Sequence, residues 1–357
     1  MIDPAPTSAR YRNTLIGLAA GDAWGYQVEF RGYQTLPAYP GVEAPQGIWR
    51  ISDDTQMTLA LHGALLDVSG CPEDVHAVAE AITARFLLWD NDPDNNRAPG
   101  ASCTASLAAL RRGARWYDHG GATSSHGCGA VMRLAPAAFL PSPAWRAVAA
   151  LQALITHKNS RAVASALVLS DAIRYAPALR GRFLENAIAN TMAVLTGRSS
   201  WLGDQHLADV LSPLTTDVTG FLIDGVNDLL GETLLDAYNV KKELSLLPPN
   251  EFGDPCLGIG EGWDAASATA LGLLTADLAT SPNGHRPPLT GRTALQWAAT
   301  SNGDSDSIAS IAGAVIGSAH AGARYWSGTG LSPKFEPRYA NEIRNAPAQW
   351  RKAFAVA

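Results

Sequence analysis

The chain has 357 residues, 46% of them hydrophobic and 17% charged, with a formal net charge of −6 and an isoelectric point near 5.7. That length and apolar share support a sizeable core and exclude a disordered chain. The acidic balance argues against general binding to nucleic acid or an anionic membrane. The four cysteines, at 71, 103, 128 and 256, form no C-x-x-C pair and no disulfide framework. A thiolate zinc site is therefore not expected, and free thiols fit a reducing, cytoplasmic setting. The first residues, MIDPAPTSARYRN, carry no apolar signal core, and no apolar run reaches the roughly 18 residues of a membrane span.

Helical periodicity dominates the elements taken in chain order. In GLAAGDAWGYQVEF, Gly17, Gly21 and Gly25 recur every fourth residue, which places them on one helix face and permits close packing. Asp22 reads as a structural hydrogen-bonding group there, and Glu29 follows the helix. Met57, Leu61, Ala64, Leu65 and Val68 fall at helical spacing, as do Ile308, Ile311, Ala312, Val315, Ile316 and Ala319. Between them, segments 73–90, 145–156, 161–175, 183–196, 218–238 and 263–279 are Ala- and Leu-rich with the same period. Gly and Pro cluster at 31–49, 91–101, 119–129, 247–262 and 281–292, which read as loops. One all-α domain over 11–357 is predicted, a compact helical bundle. Residues 1–10 are expected to be a flexible N-terminus and the last few dozen to be peripheral.

Two acidic clusters open helices. ISDDTQMTLAL holds Ser52, Asp53 and Asp54; NGDSDSIASIAGAVIG holds Asp304 and Asp306 with Ser305 and Ser307. Taken alone, each is explained by capping: Ser and Asp are good N-caps, the helix dipole favours negative charge, and Gln56 three residues after Asp53 completes a capping box. Yet adjacent aspartates repel, and one caps a helix as well as two. Four carboxylates brought together call for a cation, and carboxylates with hydroxyls suit hard Mg²⁺ or Mn²⁺.

Three further stretches carry possible chemistry. In SSHGCGAVMRLAP, Gly127-Cys128-Gly129 would present backbone N–H groups to an anion just before a helix. Arg133 in the following apolar run reads as a buried ion-pair partner, and no His or acid is placed by sequence to activate Cys128. His157, in ITHKNS, lies between two helical runs and reads by itself as structural. RAPGASCTASLAAL and GEGWDAASATALGLL are Gly-containing loops that feed helices.

The ordered set GD-x-x-G…E, SDDT, PG-x-x-C, G-x-x-MR-x-x-P, TH, GEGW and GDSDS resembles the ADP-ribosylglycohydrolases, which include the dinitrogenase reductase-activating glycohydrolase and the ADP-ribosyl-arginine hydrolases. The resemblance runs over roughly residues 11–322. It implies an all-α bundle with a cleft for two Mg²⁺ ions, or Mn²⁺. It implies Ser52, Asp53 and Asp54 as ligands of one ion, Asp304 and Ser307 as ligands of the other, and Asp306 as the bridge. Glu29 matches an acid bordering the metals and is the implied general base, with Asp54 and Asp304 as the other groups that could take a proton. Gly127, Cys128 and Gly129 match a loop that contacts ADP-ribose, and His157 a residue near the substrate. Ser stands at 52 and 307 where the family often has Thr, and Cys128-Gly129 where many members have Asn-Gly.

The implied function is metal-dependent removal of ADP-ribose from modified protein side chains, ADP-ribosyl-arginine foremost. The partner is then an ADP-ribosylated protein, or an ADP-ribosyltransferase toxin whose modification is reversed; neither membrane nor nucleic acid is expected. Two alternatives stand beside it. One is an immunity protein that blocks such a toxin by binding it; the other is a hydrolase of a small ADP-ribosyl metabolite or nucleic-acid adduct.

Overall fold

A computed structural model describes residues 7–229, 233–280 and 289–355. The first helix, α1 (Ser8–Gly25), is capped by Thr7, whose hydroxyl accepts from the Arg10 amide at 3.2 Å. Helix therefore begins inside the stretch 1–10 expected to be flexible. Arg10 is buried and its guanidinium donates to the carbonyls of Ser318, Ile173 and Arg174. Residues 1–6 lie outside the described residues.

The helices α2 (Asp53–Asp67), α3 (Val75–Asp90) and α4 (Ala101–Arg111) follow, then α5 (Ala135–Ala138), α6 (Trp145–Leu154), α7 (Ser160–Arg174), α8 (Ala176–Leu179) and α9 (Phe183–Leu195). After these come α10 (Gln205–Leu211), α11 (Val218–Leu229), α12 (Leu235–Leu244), α13 (Ala265–Thr280), α14 (Gly291–Ala298), α15 (Ser305–Ser318), α16 (Tyr325–Gly328) and α17 (Pro337–Phe354). Among the described residues there are isolated β-bridges but no named strand, and no helix is long and apolar enough to cross a membrane. Of the helix expected over 218–238, α11 covers the part up to Leu229 and α12 the part from Leu235, while 230–232 lie outside the described residues. Of the loop expected at 281–292, residues 281–288 lie outside the described residues, and α14 already begins at Gly291.

Helices that are apolar on every side belong in the middle of a fold. Every residue of α13 and of α15 is buried, and the two pack on one another. Against the other side of α15 lies α1. Its Gly17, Gly21 and Gly25 face the α15 backbone at Gly313, Ala309 and Ser305, while Gly313 and Gly317 face Gly17 and Asn13 in return. A methyl group at any of these five positions would overlap main-chain atoms of the other helix, so the two axes approach more closely than side chains would allow.

The C-terminal segment is not peripheral. Tyr339, Ile343, Ala346 and Trp350 form the buried stripe of α17, which packs on α1 and α2. Trp350 is 1% exposed, with its ring 4.8 Å from Tyr11 and 5.7 Å from His62. The stripe is narrow, set beside the buried Pro347 in an otherwise polar helix, and so is faint in the sequence.

The glycine seam gives a direct test. Gly21→Ala should cost more than about 2 kcal/mol, because backbone cannot be displaced as a side-chain tip can. Gly203→Ala, whose added methyl meets nothing within 4 Å, should stay within about 0.5 kcal/mol of the parent. Urea unfolding of both measures the difference, and a parent-like Gly21→Ala would show that the helices are not locked together.

Candidate functional site

Both acidic clusters stand at helix N-termini, and the fold brings those termini together. Ser52 is the N-cap of α2, its hydroxyl accepting from the Asp54 amide at 3.3 Å; Asp304 is the N-cap of α15, accepting from the Ser307 amide. Capping and clustering are thus not alternatives here. Asp54 joins the two helices directly: its Oδ1 accepts from the Ser310 hydroxyl at 2.8 Å and its Oδ2 from the Ser307 hydroxyl at 3.3 Å. Ser52 is fully buried with its hydroxyl 3.4 Å from Asp54 Oδ2.

Asp22 sets the position of α2. Its carboxylate accepts from the Ser52 amide at 2.8 Å, the Thr55 amide at 3.0 Å and the Thr55 hydroxyl, so it is the structural group its sequence context indicated. Glu29 lies in the turn after α1, where the Val28 and Glu29 amides both donate to the Gly25 carbonyl. That turn delivers Glu29 to Asp304 and Asp306, and one oxygen from each of the three lies within 4.8 Å of the others.

These groups open onto a cavity of about 450 Å³. Its walls carry Glu29, Asp53, Asp54, Asp304, Asp306 and Ser307 on one side, and Gly127, Cys128, Gly129 and His157 on the other. No Lys or Arg lines it. Burial, then the charges of Asp306 and Asp22, raises the Glu29 carboxyl to about 9. Burial, then Asp54, raises Asp304 to about 7. Asp53, Asp54 and Asp306 are pushed well above the carboxylate range by burial first and by neighbouring carboxylates second. Glu29 Oε2 is buried with no hydrogen-bond partner. Asp53 is 5% exposed and its side chain accepts no hydrogen bond among the described residues.

The Gly127–Gly129 loop differs from expectation. Its backbone is not a bare row of N–H donors: the Gly127 amide donates to Ser125 Oγ at 3.1 Å and the Cys128 amide to the Trp263 carbonyl at 3.0 Å, because Gly127 bridges Asp264. What reaches the acids is a side chain, the Cys128 thiol, 2.8 Å from Asp304 Oδ2. Burial, then Asp304, pushes that thiol well above its ordinary value, so it is a neutral donor. Gly129 must be glycine, since a Cβ there would lie 2.9 Å from both Cys103 Sγ and His157 Cε1.

Arg133 is buried, as expected, but its hydrogen-bond partners are neutral. It donates to Gln152, Thr156 Oγ1, Met57 Sδ and Cys103 Sγ, and lies over the Phe86 ring. Thr156 Oγ1 in turn lies 2.8 Å from His157 Nδ1. Burial, then the Arg133 charge, lowers His157 to about 3, leaving a neutral imidazole fixed on the cavity wall. Sequence reasoning did not single out the aromatic pair at the mouth: Phe30 and Trp263 are both exposed and stack at 5.8 Å with 15° between planes. Phe30 follows Glu29 with φ +68°, a strained value for a bulky residue, which no sequence signal announces.

The family profile for ADP-ribosylglycohydrolase matches residues 3–324. The chain belongs to the ADP-ribosylglycohydrolase family. A solved ADP-ribosylglycohydrolase-related protein complex has the same fold, with a TM-score of 0.56 and 22% identity over 97% of this chain and 98% of that one. An uncharacterized protein of Archaeoglobus fulgidus is 30% identical over 178 residues, 46% of this chain. The match spans about half the length of that curated relative, 54%.

The raised carboxyls set a pH dependence with a definite sign. A carboxyl whose folded value exceeds its unfolded one favours the folded state when protonated, so that stability is complete below about pH 4 and lost as pH rises. The loss passes through about 6 for Asp22, 7 for Asp304 and 9 for Glu29. In metal-free buffer the melting temperature should therefore fall between pH 5 and about 9. Glu29→Gln should flatten the upper part of that curve, and a flat parental profile in calorimetry would count against the crowding of these acids.

Proposed function

We propose that the acidic cavity is a metal-dependent active site that removes ADP-ribose from modified protein side chains, most of all arginine. The observation that carries this reading is the convergence of Glu29, Asp304 and Asp306 with no basic side chain lining their cavity, facing the Gly127–Gly129 loop and His157 across it, in a chain of this family. A volume of about 450 Å³ is of the size that encloses a small ligand.

The residues fit a hard divalent cation. Glu29 Oε2 has no partner, Asp53 is buried without one, and no basic side chain lines the cavity to offset the acids. In this reading Ser52, Asp53 and Asp54 hold one ion and Asp304 and Ser307 a second, with Asp306 shared between them. When bound, two Mg²⁺ or Mn²⁺ ions would supply Lewis-acid charge to the ribose hydroxyls and the attacking water.

The chain's own groups divide the remaining roles. The bond broken is the N-glycosidic bond at the ribose anomeric carbon; the water oxygen bonds to that carbon, its proton leaves, and the guanidine departs with the bonding pair. Of the three candidates to take the water's proton, Glu29 is the one with an unengaged oxygen. Both oxygens of Asp54 accept serine hydroxyls, and Asp304 accepts the Cys128 thiol and the Ser307 amide. The high proton affinity of Glu29 suits a base once an opposing charge keeps it ionised. His157 is a neutral positioning group, fixed through Thr156 by Arg133. Gly127 and Gly129 leave room for the sugar and diphosphate, and Phe30 with Trp263 offers a flat apolar surface at the mouth.

Release of ADP-ribose from defined arginine-, serine- and nucleotide-linked substrates tests this, with and without Mg²⁺. Arginine-linked substrate should be cleaved fastest, and chelation should stop turnover. Asp306→Ala should lower kcat/KM at least about 100-fold, through the ion it is assigned to share. Its fold should persist, because removing Asp306 relieves repulsion in the metal-free state. Undiminished turnover in that variant, or in excess chelator, would overturn the assignment.

A further inference from the structure

A cavity of about 650 Å³, larger than the acidic one, lies at the opposite end of α1. Arg12, Asn13 and Ile16 reach it from the first turns of that helix, whereas Glu29 follows the last turn; about 20 Å of helix separates the two ends. Four cationic side chains line it, Arg12, Arg324, Lys334 and Arg344, and no Asp or Glu does. All four are exposed, and none forms an ion pair among the described residues. Arg344 reaches only the side-chain oxygen of Asn341, at 3.3 Å. Other arginines of the region are neutralised: Arg338 pairs with Asp92, and Arg97 with Glu336. In a chain of net charge −6, four cations around one concavity, without an ion pair among the described residues, are not a matter of composition.

Beneath the charges the floor is apolar. Trp326 and Ile343 are buried there. The one polar atom of the Trp326 ring is already spent on the Asn13 carbonyl at 2.7 Å, so the floor offers flat apolar surface. The family match ends at residue 324; Trp326, Lys334 and Arg344 lie beyond it, and the hydrolytic reaction makes no use of them.

We propose that this cavity is a second ligand site, which takes a nucleoside di- or triphosphate. Its phosphates lie among the three guanidinium groups and Lys334, where the planar forks of arginine match phosphate oxygens in pairs. The base and sugar cover the apolar floor. The volume is of small-ligand size, and a rim of four positive charges complements the two to four negative charges of such a ligand.

Isothermal titration of the full chain with ATP and ADP, in chelator, tests the proposal. Without divalent ions the other cavity presents five carboxylates and no Lys or Arg and so repels phosphate, and the two sites are read separately whether or not the hydrolytic reading holds. The expected result is one site per chain, weakened as salt rises from about 50 to 300 mM. Binding should be at least about tenfold weaker in R12E/R344E and in R324A/K334A, and parent-like in Asp53→Asn. All four groove positions are exposed, and parent-like melting temperatures of the variants confirm their folds. No binding by ATP at about 5 mM, about the weakest a titration resolves, would overturn the proposal. So would binding that R12E/R344E leaves unchanged. Tighter binding of a hexaglutamate peptide than of ATP would assign the groove to an acidic protein segment instead.

Discussion

The cavity depends on how closely α1 can lie against α15. Three glycines on one helix and two on the other remove every side chain from the seam, and backbone meets backbone from Asn13 to Ser305. The same helix grips a second partner from its last turn, since Asp22 takes two amides and a hydroxyl from the start of α2. The N-termini of α2 and α15 are thereby held by one rigid element, and the turn that ends it carries Glu29 to both. The seam glycines line no wall of the cavity, yet a shift of α15 along α1 would separate Asp304 and Asp306 from Glu29 and Asp54 together.

Holding five carboxylates on the wall of one cavity costs stability, and the fold offsets only part of the cost. Two helix dipoles point their positive ends at the cluster, and the hydroxyls of Ser52, Ser307 and Ser310 solvate Asp54. Asp53 and Glu29 receive no such help. Other buried charges are better met: Arg133 finds neutral acceptors for its donors, and Asp277 accepts two amides and Lys241. The unmet acids at this one place are what the proposed metal site rests on.

Much of this was legible in the sequence for physical reasons. The four-residue glycine spacing announced a close helix contact, and the partner was the helix after Asp304. The Ser-Asp-Asp and Asp-Ser-Asp runs announced helix starts, and only their duplication suggested a ligand. What could not be read is what depends on non-local packing. Arg133 looked like an ion-pair partner because a buried arginine usually is one, but Gln152 and Thr156 come from a different helix and the turn after it. The Gly127–Gly129 loop looked like an anion cradle, but its Gly127 amide donates to Ser125 and its Cys128 amide to the carbonyl of Trp263, far along the chain. α17 looked peripheral because its stripe is four residues wide in a polar helix, and its burial is decided by Tyr11 and His62.

With the Cys128 amide tied to Trp263, the group of this residue that meets the acids is its thiol, against Asp304. The same tie joins the loop to the mouth. Trp263 supplies the carbonyl that holds Cys128 and the ring that stacks on Phe30, while Phe30 is the residue after Glu29. A stack of two exposed rings contributes about 0.5–1.5 kcal/mol, comparable with the strain of one bulky residue at φ +68°. Both act on the segment that bears Glu29, whose oxygen is free, whereas Asp54, Asp304 and Asp306 are set by the helix starts beneath them.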